Sequence, residues 1–236
     1  MRRVRPLFLC LLLICLCGCG PDEPAVQADG EAAISAEPKY VALTFDDGPH
    51  PGTTDVLLDG LRERNAHATF FLIGKEIAGR EDLVRRMQAE GHQVGNHTWS
   101  HVRLNGTQAA NTEEIQKTET VLEDILGEGT YWLRPPYGLV SEDAEKTIDV
   151  PMVKWSVDPR DWESRDAGKV AQAILANVQP NSIILLHDIY QTSVDAALEV
   201  IDTLHQEGYQ FVTVEELLDI NGVTPELGVL YCRGTG

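Results

Sequence analysis

The sequence predicts an α/β fold built on a parallel sheet. Short apolar runs alternate with helix-period segments seven times from Lys39 onward, and nearly every unusual polar residue falls just after one of those runs. Seven β–α units leave two architectures open, a closed barrel or an open doubly wound sheet. A chain of 236 residues that is 43% hydrophobic can bury a core for one such domain.

The elements follow in order. MRRVRPLFLCLLLICLCGCG sets Arg2, Arg3 and Arg5 before an apolar run too short to span a bilayer, which reads as an export signal. Its end, Leu16-Cys17-Gly18-Cys19, resembles the bacterial lipoprotein signal. That resemblance implies a signal peptide over 1–18, lipidation of Cys19 and a membrane-anchored protein of the cell envelope, with plain secretion as the alternative. Residues 19–38 are rich in Pro, Ala and acids and poor in large apolar side chains, the composition of a disordered tether. The folded domain is expected over 39–236. Only Cys232 lies in it, so no disulfide framework is expected.

Within that domain the strands are predicted at 41–45, where Val41, Leu43 and Phe45 alternate, then at 68–73 (ATFFLI), 92–95, 130–133 (TYWL), 152–156 (MVKWS), 182–186 (SIILL) and 210–213 (QFVT). Helical periodicity marks 54–65, 81–90, 112–126, 141–146, 167–177, 194–206 and 214–220, with Gly91 and Gly208 placed to stop two of them. No strand-to-helix turn carries a Gly-x-Gly-x-x-Gly or Walker loop, so nucleotide binding has no support. A formal charge of −18 speaks against nucleic acid.

The polar residues at the strand ends carry the chemistry. Asp46 and Asp47 stand side by side before Gly48-Pro49, which is ordinary turn chemistry unless a cation or an arginine waits there. His97 and His101 are four apart, a spacing that on a helical turn puts both imidazoles on one side. Two histidines with one aspartate make three protein ligands and leave room for water and substrate, the pattern of a catalytic metal site. Arg134, before Pro135-Pro136, can brace the second carboxylate. His187, ending SIILLH, is a titratable group on the same face, suited to donate a proton if a carboxylate holds it charged. Asp158, Asp161 and Asp188 compete for that partnership. Trp99, Tyr137 and Trp162 offer faces for sugar rings, whereas His50, His67, His92 and His205 read as solvated or core histidines.

TFDDGP, HTWSH, RPPYG, DPRDW and ILLHD, in this order over residues 44–188, resemble the five motifs of the polysaccharide deacetylases, carbohydrate esterase family 4. The resemblance implies a distorted (β/α)7 barrel and metal-dependent hydrolysis of acetyl groups from an extracytoplasmic carbohydrate, such as the N-acetylglucosamine units of peptidoglycan. It also implies Asp46 as general base; Asp47, His97 and His101 as ligands to a divalent metal; and Arg134 as the partner of Asp46. By the same resemblance the backbone N–H of Tyr137 is an oxyanion donor, His187 the general acid, Asp161 its tuning carboxylate, and Leu185 with Trp162 part of the acetyl pocket. Zinc is the expected ion, with cobalt, nickel or manganese able to serve. An O-acetyl ester or a non-sugar amide remains open as substrate, as does a glycan-binding lipoprotein without turnover. A non-haem iron oxygenase shares the ligand types but has no use for Asp46, Arg134 and His187.

Overall fold

The computed structural model describes residues 37–236, and β1 (Lys39–Asp46) is its central strand. β1 runs parallel to β2 (Ala68–Leu72) on one side and to β5 (Ile183–His187) on the other; β2 in turn pairs with β3 (Gln93–Asn96). The first residues of β1 also pair with β6 (Tyr209–Phe211). Beyond β3, single bridges join Asn96 to Leu133 and Leu133 to Met152, and Val157 bridges to Ile184 of β5. Between those bridges lies β4 (Met152–Val153), paired with β7 (Leu230–Tyr231). The ring therefore closes with interruptions: the chain is the expected distorted (β/α)7 barrel.

The period of two along each strand sorts side chains between the barrel interior and the helical layer. Val41, Leu43 and Phe45 of β1 face outward into the larger core, with Ile184 and Leu186 of β5 and buried leucines of α1 (Thr54–Glu63). Each such side chain stabilises the fold by about 1.5–3 kcal/mol when fully buried. The same core takes Val84 and Met87 of α2 (Glu81–Ala89), Leu122 of α3 (Gln108–Leu126), Val170 and Ile174 of α6 (Ala167–Asn177), and Val194, Val200 and Ile201 of α7 (Gln191–Gln206). The alternate set of strand residues points inward, where Ala42, Phe71, Trp132, Val153 and Ile183 meet Val214 and Leu217 of α8 (Val214–Ile220). Thr44, Asp46 and His187 share that inward phase, and the register sets Asp46 opposite His187.

Several elements depart from the sequence expectation. Residues 130–133 form no strand beyond the bridges at Leu133, because the following Pro135 and Pro136 carry no N–H to continue a ladder. β4 stops at Val153 instead of 156; the Arg134 side chain takes the carbonyls of Val153 and Lys154, at 3.4 and 2.8 Å. The pairing partner β7 had no periodicity to betray it. α3 and α7 begin four and three residues early; Thr107 caps α3 through its side chain. Two short helices complete the set, α4 (Glu142–Glu145) and the unexpected α5 (Asp161–Ser164), which is bracketed by left-handed Arg160 and Arg165. Gly91 and Gly208 adopt φ of 85° and 84° just past α2 and α7, as a stop signal requires. The proposed signal peptide, Cys19 and most of the tether lie outside the described residues.

Gly95 marks where the interior is tightest. A Cβ there would lie 2.7 Å from the Trp132 carbonyl oxygen and 2.7 Å from the Phe71 ring. Since a backbone carbonyl cannot rotate aside, Gly95→Ala should lower stability by about 1–3 kcal/mol in urea unfolding; an unchanged midpoint would contradict this packing.

Candidate active site

β1 ends on Asp46, and the chain then turns through Asp47, whose φ is 74°. Gly48 is required beside it, because a Cβ would meet the Asp188 carboxylate at 2.5 Å. Asp188 is wholly buried beneath this turn and accepts a hydrogen bond from Thr54. Burial, reinforced by the charge of Asp47, pushes its carboxyl up to about 7 against the opposing Thr54 bond. Asp188 thus supports the turn that aims Asp47, a role with no signal in the sequence beyond its place after His187.

Asp46 and Asp47 differ in their partners except at His97, whose Nε2 lies 3.6 Å from Asp46 Oδ2 as well as from Asp47 Oδ1. Arg134 is fully buried; its Nη1 donates to Asp46 Oδ1 at 2.7 Å and to Thr44 Oγ1 at 2.7 Å, and its plane lies 4.2 Å from the Phe71 ring centroid. Asp47 Oδ1 is buried with no hydrogen-bond partner among the described residues, and it lies 3.6 Å from Nε2 of both His97 and His101. The His97 Nδ1–H donates to the Arg134 carbonyl at 2.6 Å, which leaves Nε2 with a free lone pair facing Asp47. Burial, then the neighbouring His97, holds His101 below its ordinary value, so its imidazole is neutral as a ligand must be.

An unpartnered carboxylate oxygen facing two imidazole nitrogens fits a divalent cation. Ligand atoms at about 2.0–2.1 Å from a tetrahedral ion stand roughly 3.4 Å apart, close to the 3.6 Å separations here, and all three donor atoms lie within 4.8 Å of one another. The two histidines do not sit on a helical turn as their spacing predicts. Residues 97–101 form a loop in which Thr98 and His101 are left-handed, with φ of 65° and 61°. Glu114 of α3 fastens it by accepting from the Ser100 N–H and hydroxyl, and Asn96 accepts from the Thr98 N–H.

On the opposite wall, His187 Nδ1 donates to Asp161 Oδ1 at 2.8 Å, while Asp161 Oδ2 accepts from the His187 N–H and from the Ser193 hydroxyl. The competition among three aspartates resolves in favour of Asp161; Asp158 is exposed, accepting from the Arg160 N–H. Burial opposes charging His187, but the bond to Asp161 and the charges of Asp161, Asp46 and Asp47 outweigh it and push the imidazole up to about 9. Asp161 moves the other way: burial resists its ionisation, yet His187 and Ser193 hold it below the usual carboxylate range.

These groups line one cavity of about 360 Å³, formed by Asp46, Asp47, His97, His101, Tyr137, Trp155, Asp158, Trp162, Leu185 and His187. Tyr137 is left-handed, with φ of 63°, and 52% exposed; Trp162 is 46% exposed at the rim. Trp99 is absent from the lining and packs toward Gly74. Trp155, Thr44 and Ser193 were not singled out by sequence; only Thr44 had a signal, sharing the inward phase of Asp46. A larger hollow of about 800 Å³ borders His92, Thr213 and Glu216, away from all of this chemistry. Of the four other histidines, His50 borders an adjoining hollow that Asp47 and His101 share, whereas His92 is buried elsewhere and held near 4 by burial, accepting from the Ala68 N–H.

The His187–Asp161 pair makes a pH prediction for the metal-free protein. A folded value of about 9, above the unfolded value of about 6.5, means that the stability contributed by the pair is fully present below pH 6.5 and lost as pH rises through 9. By NMR the His187 ring should titrate near 9, and clearly lower in Asp161→Asn; the same midpoint in both would show that Asp161 does not set it.

Residues 33–150 match the family described as polysaccharide deacetylase. The peptidoglycan-N-acetylmuramic acid deacetylase PdaC of Bacillus subtilis is 37% identical over 203 residues, which cover 85% of this chain and 43% of that protein. The peptidoglycan-N-acetylglucosamine deacetylase PgdA of Listeria monocytogenes is 40% identical over 182 residues, or 76% of this chain and 39% of that one. The chain thus spans about two fifths of the length of these relatives. A solved family 4 acetyl xylan esterase from Clostridium thermocellum, in complex with a cobalt ion, aligns with a TM-score of 0.79 at 33% identity, over 83% of this chain and 98% of that one. Matched in sequence and in fold, and with the five motifs brought to one cavity, the chain belongs to the polysaccharide deacetylase family.

Proposed function

We propose that this protein is a metal-dependent hydrolase that removes acetyl groups from an N-acetylated glycan outside the cytoplasm, with the N-acetylglucosamine units of peptidoglycan or a related polysaccharide as substrate. The observation that carries the reading is the meeting of three differently equipped groups around one small cavity: the Asp47–His97–His101 triad, the Asp46–Arg134 pair and the His187–Asp161 pair. The relatives' names share acetyl removal across amide and ester substrates.

A bound divalent cation, zinc by ligand type with cobalt, nickel or manganese as substitutes, supplies Lewis-acid activation of a carbonyl and of water. The chain's own residues do the rest. Asp46 accepts a proton as water attacks the acetyl carbon, and Arg134 keeps its second oxygen turned to the cavity. The N–H of Tyr137, which lines the cavity in a left-handed turn after Pro135-Pro136, donates to the oxyanion. His187, charged at neutral pH through Asp161, gives its Nε2 proton to the departing nitrogen as the carbon–nitrogen bond breaks, leaving acetate and a free amine. Leu185 and Trp162 enclose the acetyl methyl. The same groups can cleave an O-acetyl ester, a second reading favoured by the likeness to the xylan esterase.

Lipidation at Cys19 would tether the domain to a membrane facing its polymer; among the described residues no helix is long and apolar enough to cross one. Purified protein given N-acetylglucosamine oligomers should release acetate, stop with a chelator and recover with added zinc or cobalt. Asp46→Asn should keep its zinc and lose about 10²–10⁴-fold in kcat. Full activity in that variant would remove Asp46 as the base, and chelator-insensitive turnover would remove the metal.

A further inference from the structure

Ten of the lysines and arginines in the described part of the chain are spent on ion pairs. Among the described residues Lys39, Lys75, Arg103, Lys154, Arg165 and Arg233 make none, and four of these stand around the reaction cavity without lining it: Lys75 on an adjoining hollow, and Arg103, Lys154 and Arg165 against aromatic rings that border one hollow or the other. Three are seated on aromatic faces. Arg103 lies 4.8 Å from the Tyr137 ring centroid, Lys154 5.8 Å from Trp155 and Arg165 3.2 Å from Tyr190. Tyr137 and Trp155 line the reaction cavity itself. Tyr190 lines an adjoining hollow of about 420 Å³ that also borders Asp47 and His101, and Lys75 is on its wall.

An aromatic face orients a cation without neutralising it, whereas a carboxylate cancels the charge. The surroundings of the reaction cavity thus carry positive charge that no ion pair cancels, three of the four side chains being seated on rings, in a chain whose net charge is −18. At long range the protein repels polyanions; at the cavity it attracts them, and within a Debye length the local term governs. Asp46 does not oppose this field, being paired with Arg134. Asp158 on the cavity wall does, and so does Asp47, which borders both hollows, until it holds a cation; Glu76, on the wall with Lys75, is paired with Arg80.

We infer that the site selects an anionic glycan, one that carries carboxylate or phosphate groups on the sugars flanking the N-acetylated residue, over a neutral polymer of the same sugars. Lys75, Arg103, Lys154 and Arg165 are its specificity-determining residues, acting on KM. The inference rests on the deacetylase reading and narrows its substrate class.

The test compares partially 6-O-carboxymethylated N-acetylglucosamine oligomers with the same oligomers converted to carboxamides, so that charge is the difference, alongside unmodified oligomers. At about 10 mM salt the carboxylate form should be preferred about tenfold in kcat/KM, and the preference should collapse at about 300 mM as the Debye length shrinks. Lys75→Gln and Arg103→Gln should each lower the preference about two- to five-fold through KM. Equal kcat/KM for the two charge forms, with unmodified oligomers turned over, would overturn the inference and leave the deacetylase reading intact. No acetate from any substrate would remove that reading and the inference with it.

Discussion

The buried ion pair between Arg134 and Asp46 is the constraint from which the rest of the site follows. Putting a guanidinium in a barrel interior is expensive, and burial pulls Arg134 below its ordinary value. The structure offsets this by satisfying the side chain almost completely: Asp46 and Thr44 from β1, the Val153 and Lys154 carbonyls from the β4 segment, and the Phe71 ring beneath. Removing one member of such a pair generally costs about 3–5 kcal/mol, because the other charge stays buried alone. The same residue's backbone carbonyl orients His97. One arginine therefore holds a carboxylate with its side chain and, with its main chain, one imidazole of the triad that could hold a metal ion.

This arrangement answers why a strand ends on adjacent carboxylates. Asp46 continues the inward phase of β1 and meets a cation belonging to the protein; Asp47, one residue on and left-handed, swings out of phase toward the two histidines. Arg134 takes up the charge of Asp46 alone and His101 faces Asp47 alone, with His97 3.6 Å from both, so their proximity is tolerable. On the far wall the logic repeats with opposite sign, since Asp161 makes a positive imidazole affordable in a buried place. Left-handed backbone at Asp47, Thr98, His101 and Tyr137 gathers around this one cavity, and such strain persists where surrounding contacts over-determine it.

Much of this was legible because barrel strands are short, buried and periodic, and because the residue after a strand is where side chains are free to act. The alternation in Val41, Leu43 and Phe45 fixes which face Asp46 occupies, and α6 and α8 lie where their periodicity puts them. What could not be read depends on contacts distant in sequence. The spacing of His97 and His101 suggested a helical turn, but the loop is shaped by Glu114, and its left-handed residues carry no glycine to announce them. β4 is short because an arginine far away uses its carbonyls. Asp158, Asp161 and Asp188 are equivalent candidates on paper; only Asp161 is approached by both His187 and Ser193.

The claim at the centre of this account is the division of labour between the two aspartates: Asp47 binds the cation and Asp46, held by Arg134, does not. Zinc K-edge X-ray absorption on the loaded protein tests it most directly. Two imidazole nitrogens and one carboxylate from the protein are expected, with a spectrum unchanged in Asp46→Asn and altered in Asp47→Asn. A ligand shell that loses an oxygen donor in Asp46→Asn would put Asp46 on the metal and contradict it.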